Sequence, residues 1–123
     1  MMDTNSIKVG IASHEDLKRR ALEIASGKRR RHPDEPKIWF TSIESFAKVL
    51  SESNRELLKI IDERNPQSLK ELETLTGRRV SNLSRTLKTM NRYGLVSLEH
   101  GKRGALAPKV LVRELHMDLA LGG

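Results

Sequence analysis

SNLSRTLKTMNRYGLV, residues 81–96, decides how the rest of the chain is read. Together with Val80 just before it, Leu83, Leu87 and Met90 recur at a spacing of 3, 4 and 3, which is one face of a helix, and Gly94 is the natural terminator. At 100° per residue the opposite face carries Ser81, Arg85, Lys88 and Arg92, with Asn82 and Thr89 on one flank and Ser84 on the other. The spacing predicts a helix over residues 79–92 with an aliphatic inner face and a polar, cationic outer one.

Working toward the N-terminus, Gly77 can close a preceding helix in the left-handed conformation and turn the chain sharply. That helix opens on a capping box, Ser68 with Glu71, and has Leu69, Leu72 and Leu75 to bury. Before it, Ser53 with Glu56 makes another box ahead of the stripe Leu57, Leu58, Ile60 and Ile61, and Asn65 and Pro66 stop the helix. Toward the C-terminus the pattern changes to LVSLE, HGKRG and ALAPKVLV, two β-prone runs around a basic turn flanked by Gly101 and Gly104. Pro108 cannot donate to a ladder, so the second strand is expected at an edge or bulged.

The outer segments are simpler. Residues 7–11 read as a strand, and Ser13 with Asp16 opens a helix bearing Leu17, Ala21, Ile24 and Ala25 up to Gly27. KRRRHPDEP, residues 28–36, contains no apolar side chain except its prolines and is expected as an exposed linker. A strand over residues 37–40 follows, then a Thr41 and Glu44 box before Ile43, Phe46, Ala47 and Leu50. Trp39 and Phe40 read as core or interface anchors. At the other end, residues 113–118 alternate as a strand would, and that strand is expected to pair with an N-terminal one.

Composition bounds the function. The chain has 123 residues, the length of one domain and too short for a multidomain enzyme. Aromatics are 3% of the sequence, so the core is built from Leu, Ile, Val and Met. The absence of cysteine excludes disulfides, thiolate zinc sites and a cysteine nucleophile. His14, His32, His100 and His116 are scattered without ligand spacing, so neither metal nor cofactor is expected. Nothing resembles a catalytic constellation, and Ser84 has no nearby His or Asp to activate it. The first ten residues lack an apolar signal region and no run is long enough to span a bilayer, so a cytoplasmic protein without membrane contact is expected.

The net charge of +7 comes from 23 basic and 16 acidic residues, and its distribution is uneven. Residues 77–104 hold Arg78, Arg79, Arg85, Lys88, Arg92, Lys102 and Arg103 against Glu99 alone. An isolated charge run is ordinarily a solvated face, and that is how Lys28 to Arg31 is read, ahead of a minor-groove arm. In residues 77–104, however, turn, terminator, hairpin and charge agree. Helix, helix, glycine turn, helix, basic hairpin is the order of a winged helix-turn-helix, whose third helix enters the major groove. Arginine can grip guanine with two hydrogen bonds and asparagine can read adenine, while Ser81, Ser84 and Thr89 allow close approach. Lys102 and Arg103 on the wing are positioned for phosphates, and Arg78 and Arg79 stand at the helix entrance.

Residues 81–96 resemble the recognition helix and first wing strand of MarR/ArsR-type transcriptional regulators, with Leu83, Ser84, Arg85, Leu87, Met90, Gly94, Leu95 and Val96 at the usual positions. The likeness extends back through residues 68–77. Arg78 and Arg79 depart from the family's apolar residue and Ser/Thr cap, and no long C-terminal dimer helix is present. The resemblance implies a homodimer reading a two-fold operator, and the layout is similar to short antitoxin-like regulators that repress their own operons. The expected protein is therefore α+β, mainly α with a small β wing. A strand–helix extension over residues 1–52 serves dimerisation, a winged helix-turn-helix spans residues 53–110, and a C-terminal strand lies in residues 111–123. Its expected function is sequence-specific binding of double-stranded DNA as a repressor, not catalysis. The alternative is an antitoxin-like module that binds a toxin protein and uses the winged helix for autoregulation.

Overall fold

A computed structural model of the chain describes residues 6–119 and residue 121, without the side chain of Lys102. The expected extension at residues 1–5 and the tail at residues 120, 122 and 123 lie outside the described residues. The fold is of mixed α and β type. In order it comprises β1 (Ser6–Ile11), α1 (His14–Ala25), β2 (Ile38–Phe40), α2 (Ile43–Val49), α3 (Glu52–Arg64) and α4 (Leu69–Thr76). There follow α5 (Val80–Arg92), β3 (Val96–His100), β4 (Leu106–Val110) and β5 (Glu114–Met117). No helix among the described residues is long and apolar enough to cross a membrane.

The chain divides into two compact units. The first runs up to Ala47 and resumes at Glu114, and the second is Lys48–Arg113. The boundaries expected near residues 52 and 110 thus fall at 47 and 113, and the C-terminal strand joins the N-terminal unit. It does so because β5 pairs with β1 in parallel, Ile7 opposite Leu115 and Val9 opposite Met117. On its other side β1 pairs in parallel with β2, Val9 opposite Ile38 and Ile11 opposite Phe40. Parallel neighbours need a crossover, and α1 supplies it between β1 and β2. Because side chains alternate along a strand, this register collects Ile7, Val9, Ile11, Ile38, Phe40, Leu115 and Met117 on one face. Val9 and Phe40 are fully buried there, and the Phe46 ring meets Phe40 edge-on at 5.2 Å.

In the second unit α3, α4 and α5 close around the β3–β4 hairpin. Leu57, Ile61, Leu72, Leu83, Leu87 and Met90 are each no more than 2% exposed, and burying each contributes about 1.5–3 kcal/mol. The stripe expected on α3 is narrower than its four apolar residues, since Leu58 and Ile60 are only half-buried. Gly77 sits at φ +77° and caps α4 by donating its N–H to the carbonyl of Glu73, a backbone region that side chains disfavour. Asn65 ends α3 in the same region, at φ 48°. Pro108 faces Leu98 in an unbroken two-stranded ladder, where β4 is an edge and no bulge is needed.

Two helix starts differ from those expected. The cap of α2 is Ser42 rather than Thr41, because Ser42 Oγ accepts from the N–H of Ser45 at 3.0 Å. That phase brings Phe46 onto Phe40. The cap of α3 is Ser51 rather than Ser53, accepting from the N–H of Asn54. Asn54 Nδ2 also donates to the carbonyl of Val49, so one residue opens α3 and satisfies the end of α2. The boxes at Ser13 and Ser68 form as spaced, with Ser13 Oγ accepting from Asp16 N–H and Ser68 Oγ from Glu71 N–H.

Candidate nucleic-acid interface

Helix α5 begins at Val80, with Arg79 as its cap residue, and it has no side-chain cap of its own. The vacancy left by a missing Ser or Thr is filled from α4. Glu73 Oε2 accepts from the Val80 N–H at 3.0 Å, and this bond, with Lys70 beside it, holds the Glu73 carboxyl below its ordinary pKa. A carboxylate at a helix N-terminus also complements the macrodipole. The sharp α4–α5 turn is therefore locked by Gly77 on one side and Glu73 on the other.

The two faces of α5 differ in burial, with Val80 half-buried at the start of the inner one. Leu83, Leu87 and Met90 have no exposure, whereas Ser81, Asn82, Arg85, Lys88 and Arg92 are exposed and Ser84 and Thr89 half-buried. Among the described residues Arg85, Lys88 and Arg92 form no ion pair. Arg92 Nη2 donates to Thr89 Oγ1, which itself donates to the carbonyl of Arg85. The exposed cations thus stand with little to hold them except water, and a polyanion would find them available.

Arg78 has a different position from the other predicted contacts. Its guanidinium donates to Asn82 Oδ1 at 2.8 Å, Asn54 Oδ1 at 3.2 Å and Thr86 Oγ1 at 3.1 Å, while its backbone N–H donates to Thr76 Oγ1. It ties α3 and α5 together and fixes the side chain of Asn82. Arg79 stays exposed beside it. The hairpin tip folds through Gly101, whose N–H donates to the Ala105 carbonyl at 2.5 Å. Arg103 is exposed at this tip with φ 58°, and the side chain of Lys102 lies outside the described residues.

Sequence reasoning missed three contributors. Thr86 and Asn54 position Arg78, and Lys48 lines a shallow groove with Arg85 and Thr89, adding a cation beside the outer face of α5. None carries a linear signal, because each arrives from another helix or from the flank of α5. No cluster of three metal-ligating side chains occurs among the described residues.

Residues 49–117, more than half of the chain, match the family described as HVO_A0114. They take in β5 and nearly all of the second unit. No curated protein and no solved structure matches.

Proposed function

The chain belongs to the HVO_A0114 family, and we propose that it is a sequence-specific, double-stranded DNA-binding transcriptional regulator, a cytoplasmic repressor that acts as a homodimer. The observation that carries this reading is the division of α5 into an aliphatic face, on which Leu83, Leu87 and Met90 are fully buried, and an outer face of hydroxyl and amide groups with the exposed cations Arg85, Lys88 and Arg92. In this reading α3, α4, α5 and the β3–β4 hairpin form a winged helix-turn-helix. The major groove of B-DNA is about 12 Å wide and admits one helix. Arg85 reads guanine through its two forked N–H groups, and Lys88 and Arg92 bind flanking phosphates. Asn82, its carbonyl oxygen held by Arg78, offers its amide nitrogen to an acceptor. Ser81 and Ser84 let the backbone come close, and Arg103 with Lys102 at the wing tip grips the phosphate backbone.

Dimerisation is assigned to the unit built from the N-terminal segment and the C-terminal strand. Two copies then present their α5 helices about 34 Å apart, one turn of DNA, to half-sites related by a two-fold axis. The deciding experiment titrates salt while measuring binding to the DNA upstream of the coding sequence and to a scrambled duplex of equal length. A preference of about a thousandfold or more that persists as salt rises is expected. Arg85→Ala should remove about 1–3 kcal/mol of discrimination at one base position. Equal, salt-labile affinity for both duplexes would refute sequence reading and direct attention to a protein partner, as the antitoxin-like alternative requires.

A further inference from the structure

The sheet of the first unit has two outer strands, β2 and β5, with β1 between them. In a parallel ladder alternate residues of the central strand turn their N–H and C=O to opposite neighbours, and one bond fixes the phase. Lys8 turns its carbonyl to the β2 side, accepting from the Lys37 N–H at 3.0 Å. Ile7 and Val9 therefore serve β5. Because Ile7 stands opposite Leu115 and Val9 opposite Met117, their bonds go to the flanking residues Glu114 and His116, and the N–H and C=O of Leu115 and Met117 point outward. Among the described residues no strand takes these groups up. Open edges pair with other strands unless they are blunted, yet β5 has no proline and runs along β1 without a bulge.

The side chains of this edge are incompletely covered. On the apolar face of the sheet Val9, Ile38 and Phe40 are no more than 4% exposed, whereas Leu115 and Met117 are only half-buried. On the other face Glu114 and His116 are exposed, with the Glu114 Oε1 and His116 Nε2 2.8 Å apart. The order Glu114, Leu115, His116 is complementary to its own reverse, since antiparallel pairing about Leu115 sets each Glu opposite a His. An edge bearing one sign of charge would repel its own copy, and this one attracts it.

We propose that β5 pairs with β5 of a second copy of this chain, antiparallel about a two-fold axis at Leu115, so that two three-stranded sheets join into one of six strands. Leu115 exchanges both outward backbone hydrogen bonds with the partner's Leu115, and the two side chains meet on the apolar face. Glu114 faces the partner's His116 on either side of the axis. Other registers lose this fit. An axis at Glu114 opposes two glutamates, one at His116 sets Glu114 against the partner's Asp118, and one at Met117 overlaps only the strand ends. An axis between residues places apolar side chains opposite polar ones. The contact rests on the homodimer reading above and names the surface that reading leaves open. It is short, so self-association in the micromolar range is expected, with two DNA half-sites adding to it.

The chain has no cysteine, so single introduced cysteines report the register. Hydrogen-bonded cross-strand partners have Cα atoms about 5.5 Å apart, within disulfide range. Leu115→Cys should therefore oxidise to a covalent dimer, whereas Met117→Cys, roughly 13 Å from its own copy along the strand, should not. Sedimentation of the full chain should show a dimer that Glu114→Lys weakens by about tenfold. Adding His116→Glu restores opposite charges across the axis and should restore the dimer, with the circular dichroism spectrum unchanged throughout. Failure of Leu115→Cys to link, equal linking through Met117→Cys, or a dimer indifferent to Glu114→Lys overturns this contact and leaves the homodimer reading standing. A chain that stays monomeric up to about 1 mM overturns both and leaves the edge to a strand of another protein.

Discussion

Arg78 offers the sharpest separation between holding the fold and touching DNA. Sequence alone groups it with the DNA contacts, yet its guanidinium is occupied by Asn82, Asn54 and Thr86. Hydrogen bonds from a charged donor are worth about 1.5–3 kcal/mol each when buried, but these are part-exposed, and exposed polar pairs contribute about 0.2–1 kcal/mol. Three such bonds therefore place the cost of Arg78→Ala at about 1–2 kcal/mol. In a domain of this size each kcal/mol lowers Tm by about 4–8 °C, so a fall on the order of 10 °C is expected by calorimetry or circular dichroism. Thr86→Val deletes one acceptor at nearly constant volume, and its double-mutant cycle with Arg78→Ala should return a coupling of about 0.5–1 kcal/mol. The salt dependence of DNA binding supplies the contrary outcome. If Arg78 instead neutralised a phosphate, Arg78→Ala would reduce the slope of log K against log salt by about 0.9. An unchanged Tm, no coupling to Thr86 and a slope reduced by that amount would together refute the internal role.

Three further outcomes follow from the same geometry. Leu87→Ala, at a position with no exposure, should cost about 2–5 kcal/mol in urea unfolding, a large part of the stability of a small domain; a cost below about 1 kcal/mol would contradict the packing described. Glu73 has a folded-state pKa below its ordinary value, so the stability it contributes is present above about pH 4.3 and is lost as pH falls through the lower folded value. Glu73→Gln keeps an acceptor for Val80 but cannot titrate, and its unfolding midpoint should decline less steeply in acid than that of the parent, whereas parallel declines would remove Glu73 from the account. Arg103→Gly relieves a side chain at φ 58° and should raise stability by about 0.5–1 kcal/mol, while DNA affinity falls with a shallower salt slope; a variant that is stabilised with DNA binding intact would take the wing tip out of the interface.

Periodic features were legible in the sequence because periodicity is itself the physical signal. Val80, Leu83, Leu87 and Met90 could share a face only on a helix, and α5 ends as the spacing requires. Cap positions were less legible wherever the chain offered two hydroxyls. Thr41 and Ser42, like Ser51 and Ser53, are equivalent in local propensity, and the choice between them is made by contacts further away. Phe46 against Phe40 selects Ser42, and the Asn54 bond to Val49 accompanies Ser51.

What the sequence could not display was the partner of each polar group. Alternation marks residues 113–118 as a strand, but the parallel register of β5 with β1 joins residues more than a hundred positions apart and has no local signature. Charge density has the same blindness. Arg78 and Arg85 look alike in a linear count, yet one is held by an asparagine 24 residues upstream and the other has no ion pair among the described residues. A cation on this chain is therefore available for function where the fold supplies no acceptor for it, and the residues meeting that condition on α5, Arg85 and Lys88 above all, are those whose removal should change DNA binding while leaving the melting temperature where it is.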